Sequence, residues 1–273
     1  MIDTVIKDLS DRFTISPEMV SSYDSDGFIR LKNVLSPQTL RYFEQVITSN
    51  VERLETEHVP LEKRDTYGKA FLQISNIWEV DREAAKLVMS RKLARIAAEL
   101  MEVPGVRIYH DQALYKEPGG GRTPWHADQF YWPLDTDKTI TVWIPLQQTS
   151  LDMGPLAFSR GSQKILTGRD LEISDESDRK IGDFLKNRAD SMVEEPFDLG
   201  EVSYHSGWTY HRAGPNNSGK FRKVMTIIYF ADGTRLTPPR SRYQQNDRDR
   251  WMPGAEPGIP VATRLNPLVH PAE

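Results

Sequence analysis

Metal-binding residue types fall close together in the middle of this 273-residue chain. Trp125-His126-Ala127-Asp128 sets an imidazole and a carboxylate at i and i+2. In an extended strand the two side chains leave the same face, so both reach one ion. A His-x-Asp triplet is common by chance, but this one follows a glycine-rich turn, Pro118-Gly119-Gly120-Gly121, and precedes Tyr131 and Trp132. A second imidazole, His211, stands 85 residues further on, at the end of an expected strand. Two imidazoles and one carboxylate make a facial set that suits iron(II) and leaves one side of the ion open. Zinc accepts the same donors, so ligand type alone leaves the metal undecided.

Arg222 separates the two metals. The segment Ala213-Gly214-Pro215-Asn216-Asn217-Ser218-Gly219 reads as a turn, and a hairpin over it would set positions near 211 and 222 opposite one another. Cross-strand neighbours lie roughly 5 Å apart at Cβ. A guanidinium at that reach grips a carboxylate with two parallel hydrogen bonds. A five-carbon diacid chelating iron at one end would present its other carboxylate there, whereas a hydrolytic zinc site has no use for such an arginine. The competing reading pairs Arg222 with an acid on the sheet surface. His205, six residues before His211, competes for the ligand role, and His110 reads as a strand residue with a satisfied ring. Tyr131 and Trp132 are candidate walls of a substrate pocket. The basic cluster Arg235, Arg240, Arg242, Arg248 and Arg250 reads as a solvated face, or as a contact for an anionic substrate.

These residues need a scaffold. Up to about residue 104 the pattern is helical with one early strand at Phe28-Ile29-Arg30-Leu31. Ser36-Pro37 is a helix start, with a hydroxyl N-cap, proline at the first turn, and Leu35 and Leu40 as a staple. Leu87, Leu93, Ile96, Ala97 and Leu100 predict one helix from about Arg82 to Met101. From Val106 the texture turns to strands: Val106 to Lys116, Thr139 to Gln147, Val202 to His211 and Phe221 to Phe230, with a helix near Asp175 to Arg188. Helices first, then many short strands, predict an α+β protein with a double-sheet, jelly-roll core. The expected organisation is a single domain over residues 1–273: a helical part to about 104, a β core at about 105–235, and an irregular C-terminal tail.

Composition narrows the classes. Hydrophobic residues make up 38% and charged residues 27%, enough apolar material for a packed core. A net charge of −4 gives no field for gathering nucleic acid or anionic membrane. No apolar run reaches the length of a bilayer span, and the first residues carry acids where a signal segment needs an apolar stretch. The absence of cysteine excludes thiolate metal sites, disulfides and cysteine nucleophiles. A soluble cytoplasmic protein is the expectation.

Four segments carry a resemblance: "YDSDGFIRLKNVLSPQTL", "TPWHADQFYWPLDTDKTITVWIPLQ", "GPLAFSRGSQK" and "HRAGPNNSGKFRKVMTIIYF". Together, from about Tyr23 to Phe230, they resemble the phytanoyl-CoA dioxygenase family of 2-oxoglutarate oxygenases. The resemblance implies a double-stranded β-helix core, iron(II) on His126, Asp128 and His211, and the distal carboxylate of 2-oxoglutarate on Arg222. The family's arginine eleven positions past the second histidine is matched by the interval from His211 to Arg222. Trp143 and Gln112 would line the co-substrate pocket by the same resemblance. The implied reaction uses O2 to hydroxylate a small molecule, releasing succinate and CO2. Related halogenases carry a small residue where this chain keeps Asp128, which favours hydroxylation, with desaturation, epimerisation and ring chemistry open. The family's "PGSH" is "RGSQ" here, at Arg160 to Gln163, in a structural turn. The rival readings are a zinc-dependent hydrolase on the same ligands and a β-sandwich binding module whose histidines are structural.

Overall fold

The computed structural model describes residues 2–57 and 59–270. In chain order the elements begin with α1 (Ile2–Ser10), α2 (Pro17–Asp26), β1 (Phe28–Leu31) and α3 (Pro37–Leu54). They continue with β2 (Leu72–Ser75), α4 (Ile77–Val80), α5 (Arg82–Val88) and α6 (Arg91–Met101). The β-rich part holds β3 (Val106–Lys116), β4 (Thr123–His126), β5 (Thr139–Pro145), β6 (Leu156–Ser159), α7 (Asp175–Leu185), β7 (Met192–Glu194), β8 (Val202–Ser206), β9 (His211–Ala213) and β10 (Arg222–Ala231). Then follow α8 (Arg242–Trp251) and β11 (Leu268–His270). The α+β class and the jelly-roll core are as expected.

The helix starts follow from capping. Ser36 accepts from the Thr39 N–H with Pro37 in the first turn, and Leu35 and Leu40 are both buried beside it. The helix expected over 82–101 is instead two. The Ser90 side chain accepts from the Leu93 N–H and so starts α6 afresh, after α5 has ended at Val88. A hydroxyl that caps the next turn competes with the backbone ladder, and here the cap prevails.

Seven strands form the larger sheet in the order β1-β8-β5-β10-β3-β11, with β2 also on β3; four form the smaller, β4-β9-β6-β7. Alternate residues of β5 and β10 face opposite ways. Ile140, Val142, Ile227 and Tyr229 pack under the helices with Leu93 and Ile96, while Trp143 and Val224 face the smaller sheet with Phe158 and Ala213. The larger sheet is therefore buried on both faces, which explains why β5 is buried at all seven positions.

Two expectations about the chain path are corrected. Val202 to His211 is not one strand: β8 belongs to the larger sheet and β9 to the smaller. Gly207 makes the corner, where a Cβ would lie 2.4 Å from Thr139 Oγ1, 2.5 Å from Gln129 Oε1 and 2.7 Å from the Trp132 ring. Nor do His211 and Arg222 face each other across a hairpin, because β9 pairs with β4 and β6, whereas β10 pairs with β3 and β5. The segment between them crosses the sandwich. Buried Asn216 holds it there, its Nδ2 donating to the carbonyls of Lys116, Glu117 and Lys220. Turn composition is the same for a hairpin and an arch, so the sequence could not separate them.

The corner glycine gives the first prediction. Gly207→Ala should destabilise the fold by about 1–3 kcal/mol through overpacking, read as a lower urea midpoint. An unchanged midpoint would show that the corner relaxes freely.

The irregular tail is also corrected. Ser241 caps α8, and β11 adds to the edge of β3. Buried Asn266 donates to the carbonyls of Ile108, Tyr109 and Trp251, tying the tail to the sheet. The helix α8 is almost wholly polar, so no apolar periodicity announced it. Among the described residues no helix is long and apolar enough to cross a membrane.

A candidate metal centre between the sheets

His126 ends β4 and pairs in register with His211, the first residue of β9. Ala127 is extended, and Asp128 opens a short 3-10 turn, so the i, i+2 geometry holds although the strand stops at His126. One ligand atom from each of His126, Asp128 and His211 lies within 4.8 Å of the others. Asp128 Oδ1 is 3.4 Å from His126 Nε2 and 3.7 Å from His211 Nε2.

Protonation is arranged for metal binding. His126 Nδ1 donates to the Pro124 carbonyl at 2.8 Å and His211 Nδ1 to the Thr209 carbonyl at 3.0 Å. A carbonyl only accepts, so each proton sits on Nδ1 and each Nε2 lone pair turns inward. Burial, and then His126, hold His211 well below the ordinary imidazole value, against the pull of Asp128. Burial opposes ionisation of Asp128, but the surrounding imidazoles, His211 foremost, hold its carboxyl well below the usual range. Neutral imidazole and ionised carboxylate are the forms that bind a cation.

The larger sheet supplies the floor. Side chains on paired strands line up in rows, and the register sets Gln112, Thr226, Trp143 and Ser203 in one row and His110, Ile228, Thr141 and His205 in the next. At the far end of the same face Arg222 stands opposite Lys116. A cavity of about 460 Å³ joins the three metal-type residues to Arg222, Trp143 and Gln112. All six candidate site residues thus open onto one space.

Arg222 is 1% exposed and, among the described residues, pairs with no carboxylate. The surface ion-pair reading is overturned. Its Nη1 donates to the Gly154 carbonyl at 2.5 Å, its Nε has no partner, and its guanidinium lies 5.6 Å from the Trp143 ring centre. Gly154 allows this: at φ +67° its missing Cβ would lie 2.2 Å from the Gly214 carbonyl. Burial pushes Arg222 down to about 9. Lys116, which the sequence pattern did not single out, is pushed to about 6 by burial and by Arg222; among the described residues it donates to the carbonyls of Gly121 and Gly214. A buried guanidinium with no anion beside it among the described residues makes this end of the cavity fit a carboxylate ligand. The inward alternation His110, Gln112, Leu114, Lys116 was the signal that could have found Lys116.

The other histidines sort differently. His205 is 2% exposed, with Nε2 3.4 Å from Asp128 Oδ2, and lies outside the three-residue metal set. His110 lies in β3 as expected, but its Nδ1 has no well-aligned partner among the described residues; burial lowers it to about 3, and its ring centre lies 4.5 Å from that of Trp251. It lines the cavity with Tyr131, Trp132 and, from the basic cluster, Arg250.

Two imidazoles and one carboxylate opening onto the inner space of a jelly roll define a class of β-sandwich proteins with a facial, metal-type ligand set. Within that class the chain belongs to the phytanoyl-CoA dioxygenase (PhyH) family, whose profile matches residues 23–224. It is 28% identical over 155 residues to a probable α-ketoglutarate-dependent hypophosphite dioxygenase from Stutzerimonas stutzeri, across 53% of this chain and 52% of that protein. It is 28% identical over 158 residues to the ectoine dioxygenase of Nocardia farcinica, across 55% and 52% respectively. The chain thus spans about half the length of the curated relatives it matches. In fold it is similar to a non-haem α-ketoglutarate-dependent carbocyclase from nogalamycin biosynthesis, with a TM-score of 0.76 and 23% identity over 95% of this chain and 99% of that one.

Proposed function

We propose that this chain is an iron(II)- and 2-oxoglutarate-dependent dioxygenase of a small organic molecule, with His126, Asp128 and His211 as iron ligands. Arg222 grips the distal carboxylate of 2-oxoglutarate, and Trp143 and Gln112 line its pocket. The observation that carries this is Arg222, a buried guanidinium that has no carboxylate partner among the described residues. When bound, iron and 2-oxoglutarate activate O2 to oxidise the substrate, with succinate and CO2 as co-products.

The residues contribute binding, orientation and exclusion of water. The Nδ1 hydrogen bonds fix both imidazole rings, so the ligand nitrogens need little rearrangement. Arg222 sets the direction of the diacid along the floor. The buried walls keep bulk water from the reacting centre.

The substrate end supports a ring-bearing molecule. Tyr67, Tyr131, Trp132, Tyr243 and Trp251 wall it, with Asp247 and the open Nδ1 of His110 as polar contacts. Asp247 accepts from Tyr109 at 2.7 Å, and burial raises it to about 7. Aromatic walls with a few placed polar groups suit an organic ring better than a bare oxyanion such as hypophosphite. The test is anaerobic loading with iron(II) or zinc, then O2 and 2-oxoglutarate. Succinate release by the iron form alone is expected. Hydrolytic turnover by the zinc form without succinate from the iron form would overturn the reading.

A further inference from the structure

Asp128 has two oxygens with different surroundings. Oδ1 faces the two ligand-type imidazoles, at 3.4 Å and 3.7 Å. Oδ2 faces the sheet floor, where Thr141 Oγ1 donates to it at 3.2 Å and His205 Nε2 stands 3.4 Å away. Thr141 and His205 are direct partners in the register of β5 and β8, so one row of the floor delivers both groups to the same oxygen.

His205 is otherwise unexplained. It is 2% exposed, and neither ring nitrogen has an aligned hydrogen-bond partner among the described residues. A buried imidazole with both nitrogens open is uncommon in a folded chain. Its ring packs at a tilt against two others, 4.5 Å from the His211 ring centre and 5.4 Å from that of Phe158. Asp128 Oδ2 is the acceptor that its Nε2 faces, and Nδ1, with no competing acceptor, leaves the proton free to sit on Nε2.

We propose that Thr141 and His205 are positioning residues that hold Oδ2 of Asp128, so that this carboxylate offers the metal Oδ1 alone. The inference rests on Asp128 being an iron ligand. A carboxylate with a free second oxygen can swing to chelate through both, and that would take a coordination position which the facial set must leave open. With Oδ2 engaged by a hydroxyl and an imidazole from the rigid floor, the swing is blocked and the ligand orientation is set before metal arrives.

The test compares Thr141→Val and His205→Phe, which keep bulk and remove the donor, with Thr141→Ser and His205→Gln, which keep a donor. Apo proteins are checked by thermal melting, then titrated anaerobically with iron(II), and the iron forms with 2-oxoglutarate while the visible charge-transfer band is followed. Outer partners of metal ligands typically contribute roughly 10–100-fold in metal affinity. Thr141→Val and His205→Phe should each weaken iron(II) binding by about that factor and shift the band, while Thr141→Ser and His205→Gln restore both. Unchanged affinity and band in both donor-removing variants would overturn the proposal. So would complete loss of iron in His205→Gln, which would make His205 a ligand. Asp128→Ala separates the underlying reading: undiminished iron binding in that variant would remove the ligand assignment itself, whatever the floor variants do.

Discussion

His211→Ala is expected to lose iron(II) binding and turnover together, with the apo fold intact. On the proposed reading the residue supplies one of three donors, and its loss should exceed the roughly 10–100-fold that a merely supporting residue contributes. Its ring faces the cavity, so truncation opens space there without emptying the packed layer under the helices. His126→Ala should behave alike, because its Nδ1 is held in the same way. Metal analysis after anaerobic loading, beside a thermal melt of the apo protein, measures both halves of the expectation. Normal iron content in His211→Ala, with loss in His205→Ala, would show that the ligand is the other histidine of that neighbourhood.

For Arg222→Lys the expected result is a 2-oxoglutarate affinity weaker by roughly 10-fold to 150-fold, with iron content unchanged. Lysine keeps a charge but not the planar fork that meets a carboxylate twice. One charge-assisted hydrogen bond contributes about 1.5–3 kcal/mol, which converts to that range. Burial already lowers the arginine to about 9, and burial with Arg222 lowers its neighbour Lys116 to about 6, so a lysine ammonium in the place of Arg222 would hold its proton less well than the guanidinium does. Anaerobic titration of the iron-loaded variant, followed by the visible band, gives the dissociation constant. An unchanged constant would remove Arg222 from the co-substrate site. A constant unchanged for 2-oxoglutarate but weakened for the oxidised substrate would move it to the substrate end.

The sequence by itself determined the candidate donors. His126, Asp128, His211 and Arg222 stood out because few residue types bind iron or a carboxylate, and a chain without cysteine has fewer still. The i, i+2 interval carried geometry because backbone period is local: Ala127 is extended, and that alone aims His126 and Asp128 to one side. Caps such as Ser36-Pro37 were legible for the same reason, since their hydrogen bonds close within one turn.

What the tertiary structure alone decided was which surfaces meet. The sequence placed Arg222 near the metal by a hairpin; the fold brings it to the same cavity from the opposite sheet, across a gap that no local pattern encodes. The row that joins Thr141 to His205, and both to Asp128, depends on strand register between segments some 60 residues apart. Lys116 beside Arg222 and the aromatic wall from α8 have the same origin. Register and sheet packing are set by long-range apolar burial, in which many sequences are equivalent, so their outcome appears only when the whole core is assembled.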